Sequence, residues 1–234
     1  MNDVFGPDKQ CMYVSRKTNL IPRLKLHVLT DHTWSRGRNM LTVASAALDG
    51  GATVIQLRDK LASTRILVEE GQVLRTLTRE RGALLIVNDR IDVALAIDAD
   101  GVHIGHDEDM PAALARKLLG PERILGISAG NAEEVNIAIA AGADYLSIGP
   151  ILQTRVKADA GPPIGTYLLK KIASHSSMPV IAIGGITVEN VREIIQAGAI
   201  GVAVISAIVG ADDITASAQS FSTAVQEALT FKDT

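Results

Sequence analysis

The chain has 234 residues, 47% hydrophobic and 21% charged, which excludes global disorder and leaves room for a large core without staples. Its 23 basic and 26 acidic residues give a net charge of −3, so no nucleic-acid or anionic-membrane partner is expected. Cys11 is the single cysteine, no apolar run approaches the ~20 residues of a membrane span, and the N-terminus lacks a signal-peptide pattern, so a reducing, cytoplasmic location is expected.

Residues 1–22 are polar, contain Pro7 and Pro22, and are expected to form an extension with little regular structure. Residues 23–231 read as one domain. From residue 24, short runs rich in Val, Ile and Leu alternate with helical stretches. The runs are 24–30, 53–59, 83–89, 101–105, 123–129, 145–151, 179–185 and 201–208. Such near-continuous hydrophobicity marks strands covered on both faces, as in a parallel sheet. Between them, Val188, Val191, Ile194 and Ile195 form one helical stripe over 188–197, with Thr187 as its N-cap. Asn131 to Glu134 resembles a capping box. Gly50-Gly51, Gly82, Gly142 and Gly198 stand at helix ends, where glycine supplies the left-handed cap. Eight such units in about 210 residues predict an α/β fold, a (β/α)8 TIM barrel, with an open doubly wound sheet as the alternative. In a barrel, the functional groups sit at the C-terminal ends of the strands.

Those ends carry the chemistry. Alternation puts Gln56, Arg58 and Lys60 on one face of the second strand. The cations there call for an anion, or for interior carboxylates from neighbouring strands. The third strand ends in Asn88-Asp89; Asp89 suits either Mg²⁺ or a helix cap. After the fourth strand comes His106-Asp107-Glu108-Asp109, read either as acidic residues favourable at a helix start or as a source of a second metal ligand. His103 is expected to be a packed strand residue; a zinc site of His103, His106 and Asp107 is the weaker alternative. The fifth strand ends near Ser128. The loop after the sixth, through Leu152, Thr154, Arg155 and Lys157, is long enough for a substrate clamp. Gly184-Gly185 and Ile205-Ser206 end strands seven and eight, where many barrels bind phosphate through backbone N–H groups. One cationic and one backbone-type anion site on the same rim suit a diphosphate substrate and a phosphorylated co-substrate.

These residues resemble the thiamine phosphate synthase family over roughly 24–228. The matching segments are 26–31 (LHVLTD), 56–60 (QLRDK), 87–89 (VND), 101–105 (GVHIG), 126–129 (GISA), 149–151 (GPI), 183–186 (IGGI) and 204–208 (VISAI). The resemblance implies a (β/α)8 barrel that joins a hydroxymethylpyrimidine diphosphate to a thiazole phosphate with Mg²⁺, giving thiamine phosphate and diphosphate. It implies that Gln56, Arg58, Lys60, Asn88, Ser128 and Lys157 bind the pyrimidine diphosphate, with Arg58, Lys60 and Lys157 catalytic. Thr154, Gly185, Ile205 and Ser206 would bind the thiazole phosphate. Asp89 and Asp109 would hold Mg²⁺; Glu108 is the other candidate, because the run after Gly105 is one residue longer than the family pattern. Gly130, Leu152 and Val156 also depart from that pattern, standing where a histidine, an aromatic and a hydroxyl are usual. A thiazole tautomerase-like paralogue and a catalytically silent phosphate-binding barrel are the competing readings. The expected partners are phosphorylated small molecules, with a homo-oligomer left open. Arg36-Gly37-Arg38 reads as a solvated loop, with a place at the pyrimidine end of the site as the alternative.

Overall fold

A computed structural model describes residues 19–105, 110–154, 156 and 161–232. Eight strands form a closed parallel barrel in sequential order. They are β1 (Leu26–Leu29), β2 (Val54–Leu57), β3 (Leu84–Asn88), β4 (Gly101–Ile104), β5 (Ile124–Ala129), β6 (Tyr145–Ile148), β7 (Val180–Ile183) and β8 (Gly201–Val204). The intervening helices are α1 (Met40–Asp49), α2 (Thr64–Glu80), α3 (Ile91–Ala96), α4 (Ala112–Leu119), α5 (Ala132–Ala140), α6 (Gly165–His175) and α7 (Val191–Gln196). A four-residue helix, α8 (Ser206–Val209), and a long α9 (Ile214–Lys232) follow β8. The barrel expectation holds, and the open-sheet alternative falls because β1 pairs with both β2 and β8.

Every strand residue from β1 to β3 is buried apart from half-buried Asn88, which is why the runs read as continuously apolar. Alternation divides the core in two. Val28, Ile55, Leu85 and Val87 face the helices, whereas Leu29, Val54, Leu84, Ile86, Ile124, Tyr145, Ile181 and Ala203 fill the lumen. Towards the C-terminal rim the lumen becomes polar, with Gln56, Asn88, His103, Ser128 and Ser147 lining a cavity.

Several local expectations need correction. The eighth strand stops at Val204, and residues 206–209 turn into α8. Thr187 caps no α-helix: the Asn190 Oδ1 accepts its amide hydrogen at 2.9 Å, and α7 begins only at Val191. Gly51, Gly82, Gly142 and Gly198 have positive φ, but Gly50 does not, at −83°. The capping box forms with a shift: Asn131 Oδ1 accepts from the Glu134 amide, while Glu134 reaches back to the amide of Gly130 rather than that of Asn131. The Arg36-Gly37-Arg38 segment is more than a solvated loop. Arg38 donates to the carbonyls of Val209 and Ala211 at 2.7 and 2.8 Å, and Arg36 pairs with Asp212. The two arginines thus tie the loop after β1 to the segment after α8.

Candidate active site

A cavity of about 870 Å³ opens at the C-terminal ends of the strands, within the range of small-molecule sites. Among the described residues, every position expected at the site lines it: Gln56, Arg58, Lys60, Asn88, Asp89, Ser128, Thr154, Gly185, Ile205 and Ser206. Lys157, Asp109 and its alternative Glu108 lie outside the described residues, as do Arg155, His106, Asp107 and Cys11.

One wall is built from β1, β2 and β3. Gln56 donates to Asn88 Oδ1 at 2.8 Å, so two adjacent strands fix each other's amides. Just beyond β2, Arg58 places Nη1 2.6 Å from Asp31 Oδ2; both side chains are mostly buried. Parallel register explains the meeting: Leu29 stands opposite Gln56, and Asp31 and Arg58 each follow two residues later. Asp31 Oδ1 meanwhile accepts from the amides of Thr33 and Trp34, folding the loop that brings Trp34 to the cavity. Thr30 Oγ1 accepts from the Arg58 amide at 2.9 Å. The interior-carboxylate alternative for Arg58 is therefore realised, and Arg58 still lines the cavity. Asp59 Oδ1 accepts from the amides of Leu61 and Ala62, shaping the turn that carries Lys60.

Asp89 has φ of 62°, a left-handed conformation uncommon outside glycine, and its amide donates to the His103 carbonyl at 2.8 Å. Such backbone is held only where the surroundings enforce it, a frequent feature of functional sites. Its oxygen donors suit a hard cation such as Mg²⁺.

The opposite wall comes from β6, β7 and β8. The Ile151 and Leu152 amides donate to the Ile183 and Gly184 carbonyls, laying the β6 loop against the end of β7. That approach requires glycine. At Gly185, with φ of 67°, a Cβ would fall 2.7 Å from Leu152 Cβ and 2.8 Å from the Gln153 oxygen. Asn190 Nδ2 holds the Gly185 carbonyl at 3.0 Å. The Val156 amide donates to Thr154 Oγ1 at 3.3 Å, a contact that any residue at 156 could make through its backbone.

Asp31, Trp34 and Ser147 stand at this site with no role assigned from the sequence, although matched register alone would have set Asp31 beside Arg58. His103 is packed, as expected, yet it also borders the cavity and contacts Ser128.

A family model described as thiamine monophosphate synthase matches residues 26–208. A thiamine-phosphate synthase of Chloroflexus aurantiacus is 55% identical over 195 residues, 83% of this chain and 89% of that protein. Its counterpart in Moorella thermoacetica is 51% identical over 85% of this chain and 94% of its own. The structure of a thiamine phosphate pyrophosphorylase from Pyrococcus furiosus is 44% identical, covers 90% of this chain and all of that one, and superposes with a TM-score of 0.84. Identity at this level, extending across the whole barrel, means that the chain belongs to the thiamine monophosphate synthase family.

Proposed function

We propose that the chain condenses 4-amino-2-methyl-5-hydroxymethylpyrimidine diphosphate with 4-methyl-5-(2-phosphooxyethyl)thiazole to give thiamine phosphate and diphosphate. The supporting observation is the convergence of two anion-compatible walls on one cavity, in a chain of this family. The synthase reading is favoured over the tautomerase-like or silent barrel because relatives near half identity carry the synthase name.

In this reading, Gln56, Asn88 and Ser128 hold the pyrimidine diphosphate, and Arg58, Lys60 and Lys157 meet its phosphates. The C–O bond to diphosphate breaks, and the leaving group takes the electron pair. The thiazole nitrogen lone pair then forms the new C–N bond at the pyrimidinyl-methyl carbon. No side chain need act as nucleophile. The protein's task is to orient two substrates and to stabilise charge on the departing diphosphate. Asp31 holds the Arg58 fork in place for that role. Backbone amides at Gly185, Ile205 and Ser206, with the Thr154 hydroxyl, receive the thiazole phosphate. Asp89, with Asp109, would hold Mg²⁺, which when bound supplies positive charge for the leaving diphosphate.

Asp89→Asn is the sharper test than Asp89→Ala, because asparagine tolerates left-handed backbone and keeps the side-chain size while removing the charge and one ligand oxygen. We expect kcat to fall about 100-fold or more with the unfolding midpoint unchanged. Near-wild-type turnover would remove Asp89 from the metal site.

A further inference from the structure

We propose that Tyr145, deep in the lumen, is a positioning residue that acts through His103 to commit the Ser128 hydroxyl as a hydrogen-bond donor into the cavity. This rests on the reading of Ser128 as a pyrimidine diphosphate contact.

The three side chains form one line. The Tyr145 hydroxyl lies 3.1 Å from His103 Nδ1, and His103 Nε2 lies 3.0 Å from Ser128 Oγ. Tyr145 is wholly buried, and Ser128 borders the cavity. The register sets this arrangement: Gly126 of β5 stands opposite both His103 of β4 and Tyr145 of β6. The phenol occupies the space that a side chain at Gly126 would take, since a Cβ there would fall 2.1 Å from Tyr145 Cζ. The His103 ring is stacked on the phenol with centroids 5.7 Å apart, and His27 meets it edge-on at 5.5 Å.

Counting protons gives the line its direction. Burial pushes the Tyr145 phenol above its usual range, so it stays protonated. Among the described residues, its one hydrogen-bond partner is His103 Nδ1. Nearby His27 makes no hydrogen bond through either ring nitrogen among those residues. If His103 Nδ1 carried a hydrogen, the phenolic hydrogen would be stranded in an apolar interior. Tyr145 therefore donates, Nδ1 accepts, and the imidazole hydrogen sits on Nε2. From there it is donated to Ser128 Oγ. With one lone pair of Oγ so occupied, the serine hydrogen is turned towards the cavity. The ligand chemistry this selects is an acceptor atom, a pyrimidine ring nitrogen or a phosphate oxygen.

Two measurements test this. Long-range ¹H–¹⁵N correlation of the folded, histidine-labelled protein reads the tautomer; the chain has five histidines, and the His103 signals are those lost in His103→Gln. We expect hydrogen on Nε2 and a bare Nδ1, with that preference weakened in Tyr145→Phe. Hydrogen on Nδ1 in the wild type overturns the relay. In steady-state kinetics, Tyr145→Phe should raise KM for the pyrimidine diphosphate about three- to tenfold, the scale of one hydrogen bond. KM for the thiazole phosphate should stay within about twofold. In a Ser128→Ala background the same substitution should change nothing further; effects that multiply would show that Tyr145 acts independently and overturn the proposal. If Ser128→Ala alone leaves the pyrimidine KM unchanged, the contact assigned to Ser128 is wrong and the substrate part of the proposal falls, whatever the tautomer.

Discussion

Arg58 carries charge at the site, but Asp31 decides where that charge points. Removing Asp31 leaves a mostly buried guanidinium without its 2.6 Å carboxylate partner and also unties the Trp34 loop. Asp31→Ala should therefore destabilise the protein by about 3 kcal/mol. It should also lower kcat/KM at temperatures where the variant is fully folded, as denaturant titration and kinetics on the same sample would show. His27 makes a separate prediction. Burial, aided by nearby His103, lowers its pKa to about 3, against 6.5 for an ordinary histidine. The unfolded chain thus binds a proton that the folded chain refuses between those values. The contribution is fully present above pH 6.5 and is lost as pH falls towards 3. Between pH 7 and pH 5 it amounts to about 2 kcal/mol. His27→Leu should flatten that part of the stability–pH curve; an unchanged slope would contradict the assignment. Residue chemistry at the strand ends was legible because Gln56, Arg58, Asn88 and Asp89 are polar groups ending apolar runs. Asp31 and the Tyr145–His103–Ser128 line were not, because each contact depends on the register between neighbouring strands, which no single run of sequence displays.

Among the elements, a repeated device ties strands to helices at the N-terminal end of the barrel, opposite the site. Asp100, just before β4, accepts the Leu85 amide of β3 and takes a two-pronged bond from Arg75 of α2 at 2.6 and 3.1 Å. Asp144, just before β6, accepts the Leu125 amide of β5 and pairs with Arg116 of α4 at 2.6 Å. The same joint recurs two βα units apart. Asp100→Ala removes both carboxylate bonds to buried Arg75 and the acceptor of the Leu85 amide, and should cost about 3–5 kcal/mol. Because, among the described residues, this end of the barrel carries none of the cavity-lining site residues, kcat and both KM values should stay near wild type below the melting transition. A large kinetic effect with little loss of stability would contradict that division. Most elements were readable from the alternation of apolar runs and helical stripes. The end of β8 was not, since the run at 201–208 joins a buried strand to a buried helical turn and hydrophobicity alone cannot separate the two. The start of α7 was missed because Asn190, rather than Thr187, supplies the side chain that organises the turn.

For the whole molecule, the closed barrel brings eight strand ends, spread along the chain from Leu29 to Val204, onto one rim, the place where barrel enzymes carry chemistry. The count of eight units and their even spacing made that architecture legible without any single strong motif. What composition could not supply was the pairing of the two walls across the cavity. The central claim is that this cavity unites a pyrimidine diphosphate with a thiazole phosphate under Mg²⁺. The most direct measurement incubates the purified protein with both substrates and Mg²⁺, with a matched EDTA control, and follows thiamine phosphate by oxidation to its fluorescent derivative. Product should accumulate with time and be abolished by EDTA. No product from protein shown to be folded, or product undiminished by EDTA, would contradict the claim.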